Sequence, residues 1–167
     1  MRLPLLLLLT TLTSCPATEE SLTFQSTPGC FTGSSRLLTA TSSGDAWLQR
    51  PTDNGEWSQR KPTGKPTAVI EAFAAIKKIS FSDAEIKLLT TLSGGVIGPE
   101  RFTVALTLED NEWSISYLSD MTIPALSSLY TEDQERDEET EKQVRDILSK
   151  IQMIHQAITP LLPPNNK

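Results

Sequence analysis

The amino-acid sequence predicts an α+β domain. An antiparallel, curved sheet built from two meanders packs on two helices, and the C-terminal helix is long. Three observations carry this expectation. First, in "RFTVALTLEDNEWSISYL" the residues Phe102, Val104, Leu106 and Leu108, then Trp113, Ile115 and Tyr117, alternate with polar or small residues across a turn. Period two with one apolar face describes strands lying on a core. Second, Val144, Ile147, Leu148, Ile151, Ile154, Ile158 and Leu161 recur at three- and four-residue steps, the period of a helix with one buried face. Third, strand-like stretches come in blocks, each followed by a helical stretch, and that order suits an α+β domain.

The elements follow in order. Residues 16–34 are rich in Ser, Thr, Pro and Gly and read as a tether, in which Leu22 and Phe24 could add a short edge strand. "SRLLTATS", "DAWLQRP" and "EWSQRK" form the first meander, with "TDNG" as a turn between the last two. "KPTGKP" breaks the sheet. Pro66 suits a first helical turn, where its missing N–H has no intrahelical partner to lose, and Val69, Ile70, Phe73 and Ile76 mark a helix through about Lys78. "EIKLLTTL" and "RFTVALTL" enclose "SGGVIGPE" and open the second meander, which closes with "WSISYLSD". Pro124 opens the last helical region, and Thr131 with Gln134 makes a capping-box pattern. Pro160 and Pro163-Pro164 end the helix, so the domain spans 35–159 and 160–167 is a loose tail. Glu56-Trp57-Ser58 recurs as Glu112-Trp113-Ser114; two unrelated hairpins with common turn chemistry explain it more simply than duplication.

Composition sets limits on function. The chain has 167 residues, 38% apolar and 22% charged, with net charge −6. Charge is uneven: residues 35–87 hold eight Lys/Arg against six Asp/Glu, and residues 88–167 hold six against thirteen. A nucleic-acid partner needs a basic footprint, which the acidic half does not offer. No metal motif such as CxxC, HxxxH or an EF-hand loop is present. His155 is the only histidine, and no G-x-S-x-G elbow accompanies it; near a helix C-terminus, it has a structural reason to be there. "SGGVIG" leads into a strand, where a phosphate loop needs a helix. No catalytic residue, metal or cofactor is therefore expected. Trp57 and Trp113, at matched turns, are candidates for partner contact, although aromatic residues at strand starts also build core edges. Glu135, Glu138 and Glu139, ahead of the apolar stripe, are candidates for meeting a basic partner surface.

The first eighteen residues contain one charge, Arg2, followed by the apolar run Leu5–Leu9 and then small polar residues. That order reads as a secretory signal. The apolar run is about half the ~20 residues of a spanning helix. Leu12-Thr13-Ser14-Cys15 resembles the lipobox of bacterial lipoproteins: an aliphatic residue, two small residues, then cysteine. The resemblance implies a signal peptide over 1–14, cleavage before Cys15, and acyl chains such as palmitate on Cys15. An ordinary secretory signal, cut after Ala17 for example, is the other reading. With Cys15 acylated, Cys30 is left as a single thiol. Pro16 stands where aspartate would retain a lipoprotein at the inner membrane, so the resemblance points to the outer membrane, facing the periplasm. The function expected is a non-enzymatic, lipid-anchored interaction or assembly module with an envelope protein partner. The rival is a small-ligand or lipid carrier using a cavity between sheet and helices.

Overall fold

The computed structural model describes residues 19–28, 35–93, 100–119 and 138–163. Among these residues there are six strands: β1 (Ser21–Thr27), β2 (Arg36–Thr41), β3 (Ala46–Gln49), β4 (Lys61–Pro62), β5 (Arg101–Thr107) and β6 (Glu112–Leu118). They form one sheet in the order β4-β3-β2-β1-β5-β6, with every neighbouring pair antiparallel. Three helices accompany it: α1 (Pro66–Ile76), α2 (Asp83–Ser93) and α3 (Glu138–Ile158), the last running into a 3-10 turn at Thr159–Leu161. The α+β class, the antiparallel curved sheet and the long C-terminal helix are as expected from sequence.

The expected tether is corrected. Ser21–Thr27 lies in the middle of the sheet, with Phe24 opposite Leu38 on one side and Val104 on the other. Leu22, Phe24 and Ser26 are buried, while Thr23 and Gln25 are half-exposed. Those polar residues mimic loop composition, but they fill the solvent-side positions of a strand with one buried face. The domain therefore includes Ser21–Thr27, ahead of residue 35. It also extends past 159, because Leu161 is 1% exposed and Thr63 donates a hydrogen bond to its carbonyl at 2.7 Å.

A second correction concerns "EIKLLTTL", which is helix α2 and not a strand. Ser82 and Glu85 close a capping box. Glu85 Oε2 accepts from the Ser82 N–H at 2.7 Å, and Ser82 Oγ accepts from the Glu85 N–H at 3.3 Å. Satisfying two otherwise orphaned donors fixes a helix start here. Among the described residues there are thus three helices where two were expected, and the second meander reduces to the β5–β6 hairpin. "EWSQRK" is also shorter as a strand than expected: Lys61–Pro62 pairs with β3, and Trp57 contributes one isolated bridge to Pro51. The proposed helix opening at Pro124, the Thr131–Gln134 cap and most of "SGGVIG" lie outside the described residues.

One face of the sheet and the helices make the core. Leu22, Phe24, Leu38, Val104, Leu106, Ile115 and Tyr117 meet Val69, Phe73 and Ile76 of α1 and Val144, Ile147, Ile151, Ile154 and Ile158 of α3. Ile70 does not join this face and remains exposed. Helix α2 covers the β6 edge, where Ser93 Oγ donates to the Ser116 carbonyl at 3.2 Å and Arg101 donates to the Ser93 carbonyl at 2.9 Å. The other edge, β4, is two residues long and ends in Pro62, which has no N–H to offer. Shortness and proline both discourage edge-to-edge pairing.

Candidate functional site

The β3–β4 hairpin leaves the sheet and concentrates exposed chemistry. Its tip is closed by backbone bonds from Thr52 N–H to Glu56 O (2.7 Å) and from Gly55 N–H to Thr52 O (2.9 Å). Gly55 has φ +79°, a conformation that glycine adopts without steric cost. Between tip and sheet the register shifts by one residue. Pro51 pairs with Trp57, yet Leu48 pairs with Lys61. The extra residue makes a bulge around Gln59–Arg60, and bulges re-aim side chains. Arg60 is turned over the indole of Trp47, its guanidinium carbon 5.5 Å from the ring centroid.

The hairpin therefore has two differently furnished sides. On the side away from the helices lie Trp47 with Arg60, and Trp57, whose partner Pro51 is in phase with Trp47 along the strand. Trp57 is 38% exposed. On the helix side is a cleft of about 440 Å³ lined by Leu48, Arg50, Ser58, Lys61, Pro62, Thr63 and Pro163. Ser58 stiffens it, because its hydroxyl accepts from the Arg50 N–H at 3.0 Å and its carbonyl accepts from Gln49 Nε2 at 2.8 Å. Arg50 and Lys61 are exposed and have no carboxylate within ion-pair distance among the described residues. Two such cations over an apolar floor of Leu48, Pro62 and Pro163 can hold a carboxylate or a phosphate together with an apolar group.

The other sequence candidates are placed elsewhere. Trp113 is 5% exposed and packs edge-on against Phe81 at 5.2 Å between centroids, so it is a core residue and not a partner contact. Its Nε1 is buried without a hydrogen-bond partner among the described residues. Glu138 and Glu139 are exposed in the first turn of α3, far along that helix from Pro163 in the cleft. Cys15, Cys30 and Glu135 lie outside the described residues. The cleft residues Arg50, Ser58 and Lys61 were not singled out from sequence; the signal present was the excess of basic residues flanking an Asn-Gly turn.

His155 closes the sheet-to-helix contact. Its Nε2 and the Tyr117 hydroxyl share a 2.8 Å hydrogen bond, and its ring meets Phe24, Phe102 and Tyr117 edge-on. Burial lowers its pKa, partly opposed by the nearby Glu100 carboxylate, and burial pushes the Tyr117 phenol up. The imidazole is thus held neutral as a packing element. Among the described residues no group of His, Cys, Asp and Glu could hold a metal ion, and no helix is long and apolar enough to cross a membrane. No protein-family model matches the chain, and no curated protein matches its sequence.

Proposed function

We propose that this chain is a non-enzymatic interaction module of the bacterial cell envelope. It is anchored to the outer membrane by acyl chains on Cys15, faces the periplasm, and meets an envelope protein with the β3–β4 hairpin. The observation that carries this reading is Trp57, 38% exposed on a hairpin whose other side holds Arg50 and Lys61 without acidic partners among the described residues. Trp and Arg are the residues that most often dominate binding energy at interfaces. The lipobox-like Leu12-Thr13-Ser14-Cys15 supports the anchor, since acyl chains on one residue hold a protein durably when each buried methylene contributes about 0.8 kcal/mol. Glu135, Glu138 and Glu139 serve as a second contact that acts on encounter rate.

The test is a photoreactive residue at position 57 in living cells, followed by mass spectrometry of the adduct. A single envelope protein should be captured, and Arg50→Glu with Lys61→Glu should abolish capture without changing the amount of folded protein. Capture that survives this double charge reversal contradicts the reading. The second reading, a small-ligand carrier, is favoured by the 440 Å³ cleft. It requires a bound molecule in native mass spectrometry of the domain released from cells.

A further inference from the structure

We infer that the end of the sheet at which β1 begins is the bilayer-apposed surface of the protein, and that the β3–β4 hairpin is held at the opposite end, away from lipid. The inference rests on the acylation of Cys15 proposed above. It follows from the short length of chain between Cys15 and the first described residue. Cys15 precedes Glu19 by four residues, and a chain reaches at most ~3.3–3.6 Å per residue, so the acylated residue stays within about 14 Å of Glu19.

Glu19 and Glu20 are fastened to the domain. Ser43 Oγ donates to Glu19 Oε1 at 3.1 Å, the Ser42 N–H donates to the Glu20 carbonyl at 3.2 Å, and Lys77 pairs with Glu20 at 2.6 Å. The anchor therefore emerges from one corner. The register names its neighbours, because Ser21 lies opposite both Thr41 and Thr107. The turn through Ser42–Asp45 and the turn through Leu108–Asn111 flank the exit. The hairpin belongs to the other end: Gln49 is opposite Leu37, and Leu37 is opposite Gln25. At about 3.3 Å per residue, the seven residues of β1 span roughly 23 Å. The leash is shorter than the strand, so the molecule cannot invert and present its hairpin to the lipid.

Charge is arranged along the same axis. Glu19, Asp45, Glu109 and Asp110 mark the exit end, with Lys77 and Lys78 in partial compensation, while Arg50, Arg60, Lys61 and Arg101 mark the far end, with Asp53, Glu56 and Glu100 in partial compensation. An anionic headgroup layer repels the exit end. Apposition is imposed by the anchor and not by affinity, which leaves the basic hairpin available to partners in the periplasm.

The experiment uses the acylated mature chain, Cys15 to Lys167, in vesicles of phosphatidylethanolamine and phosphatidylglycerol. A photoreactive residue is placed at Asp110 or at Trp57, and the mass of the Cys15 peptide is read alongside the lipid adducts. Position 110 should yield several-fold more lipid adduct than position 57. A flexible insert of about ten Gly/Ser residues after Pro16 should level the two, because the leash then exceeds the strand. An acylated Cys15 with equal or greater lipid capture at 57 overturns the orientation alone. A Cys15 peptide without acyl mass overturns the anchor and the orientation together.

Discussion

The triplet Glu-Trp-Ser occurs twice, and its two tryptophans meet opposite fates. Trp113 is the second residue of a seven-residue strand, lies opposite Leu106 and is sealed by Phe81. Trp57 is tied to the sheet through the single bridge to Pro51 and remains exposed. Identical neighbours in sequence do not decide burial. What decides it is whether the backbone continues into a ladder that brings a partner face, and whether a helix arrives to close it. The difference separates a residue that holds the fold from one free to be used by it.

The largest effect should come from deleting the buried member. Trp113→Ala removes a large ring from beside Phe81 and should cost about 3–5 kcal/mol in chemical denaturation. Trp113→Phe sharpens the point. It loses some volume but also removes an indole N–H that has no partner among the described residues, itself a cost of about 1–3 kcal/mol, so it should destabilise by less than about 1.5 kcal/mol. A loss as large as that of the alanine variant would show that the N–H is satisfied.

The helix that shelters the β6 edge gives the next effect. Ser82→Ala removes half of the capping box at the start of α2 and should cost about 1 kcal/mol. Its partner Glu85 predicts an acid limb. Burial alone raises the Glu85 pKa, but hydrogen bonds from Lys150 and Ser82 outweigh it and leave it lowered. That stability is present above the ordinary carboxylate value and is lost as pH falls through the lower folded value.

His155 predicts a separate, earlier change. Its pKa in the fold is below the ordinary 6.5, so the unfolded chain binds the proton first. Stability should decline as pH drops through about 6.5 and level off below the folded value. His155→Gln should flatten the melting temperature across that window and leave the Glu85 limb in place.

The smallest effect on stability belongs to the exposed member. Trp57→Ala should change unfolding free energy by less than about 0.5 kcal/mol while weakening partner capture. A cost comparable to that of Trp113→Ala would erase the distinction between the two tryptophans.

Periodicity made part of this molecule readable. The stripe from Val144 to Ile158 and the alternation through β5 and β6 are long and regular, and both appear as expected. Strand β1 was legible only as a possible short edge strand, because Leu22 and Phe24 are only two apolar residues among Ser, Thr and Gln, and its central position depends on strands far along the chain. Helix α2 was missed because Ile86, Leu88 and Leu89 with two threonines look strand-like, although Ser82 and Glu85 already spelled its cap. At the hairpin, Trp57 was visible as an aromatic beside a turn. The cleft was not, because it depends on the bulge near Arg60 and on Pro163 arriving from the end of α3, neither of which local pattern encodes.

The central claim is that the hairpin carrying Trp57 is the recognition end of an anchored module. Photocrosslinking in cells from position 57, compared with position 110, tests it most directly. The account predicts protein adducts at 57 that vanish with Arg50→Glu and Lys61→Glu, and lipid adducts at 110. Lipid adducts at 57, or the protein partner captured from 110 instead, would contradict it.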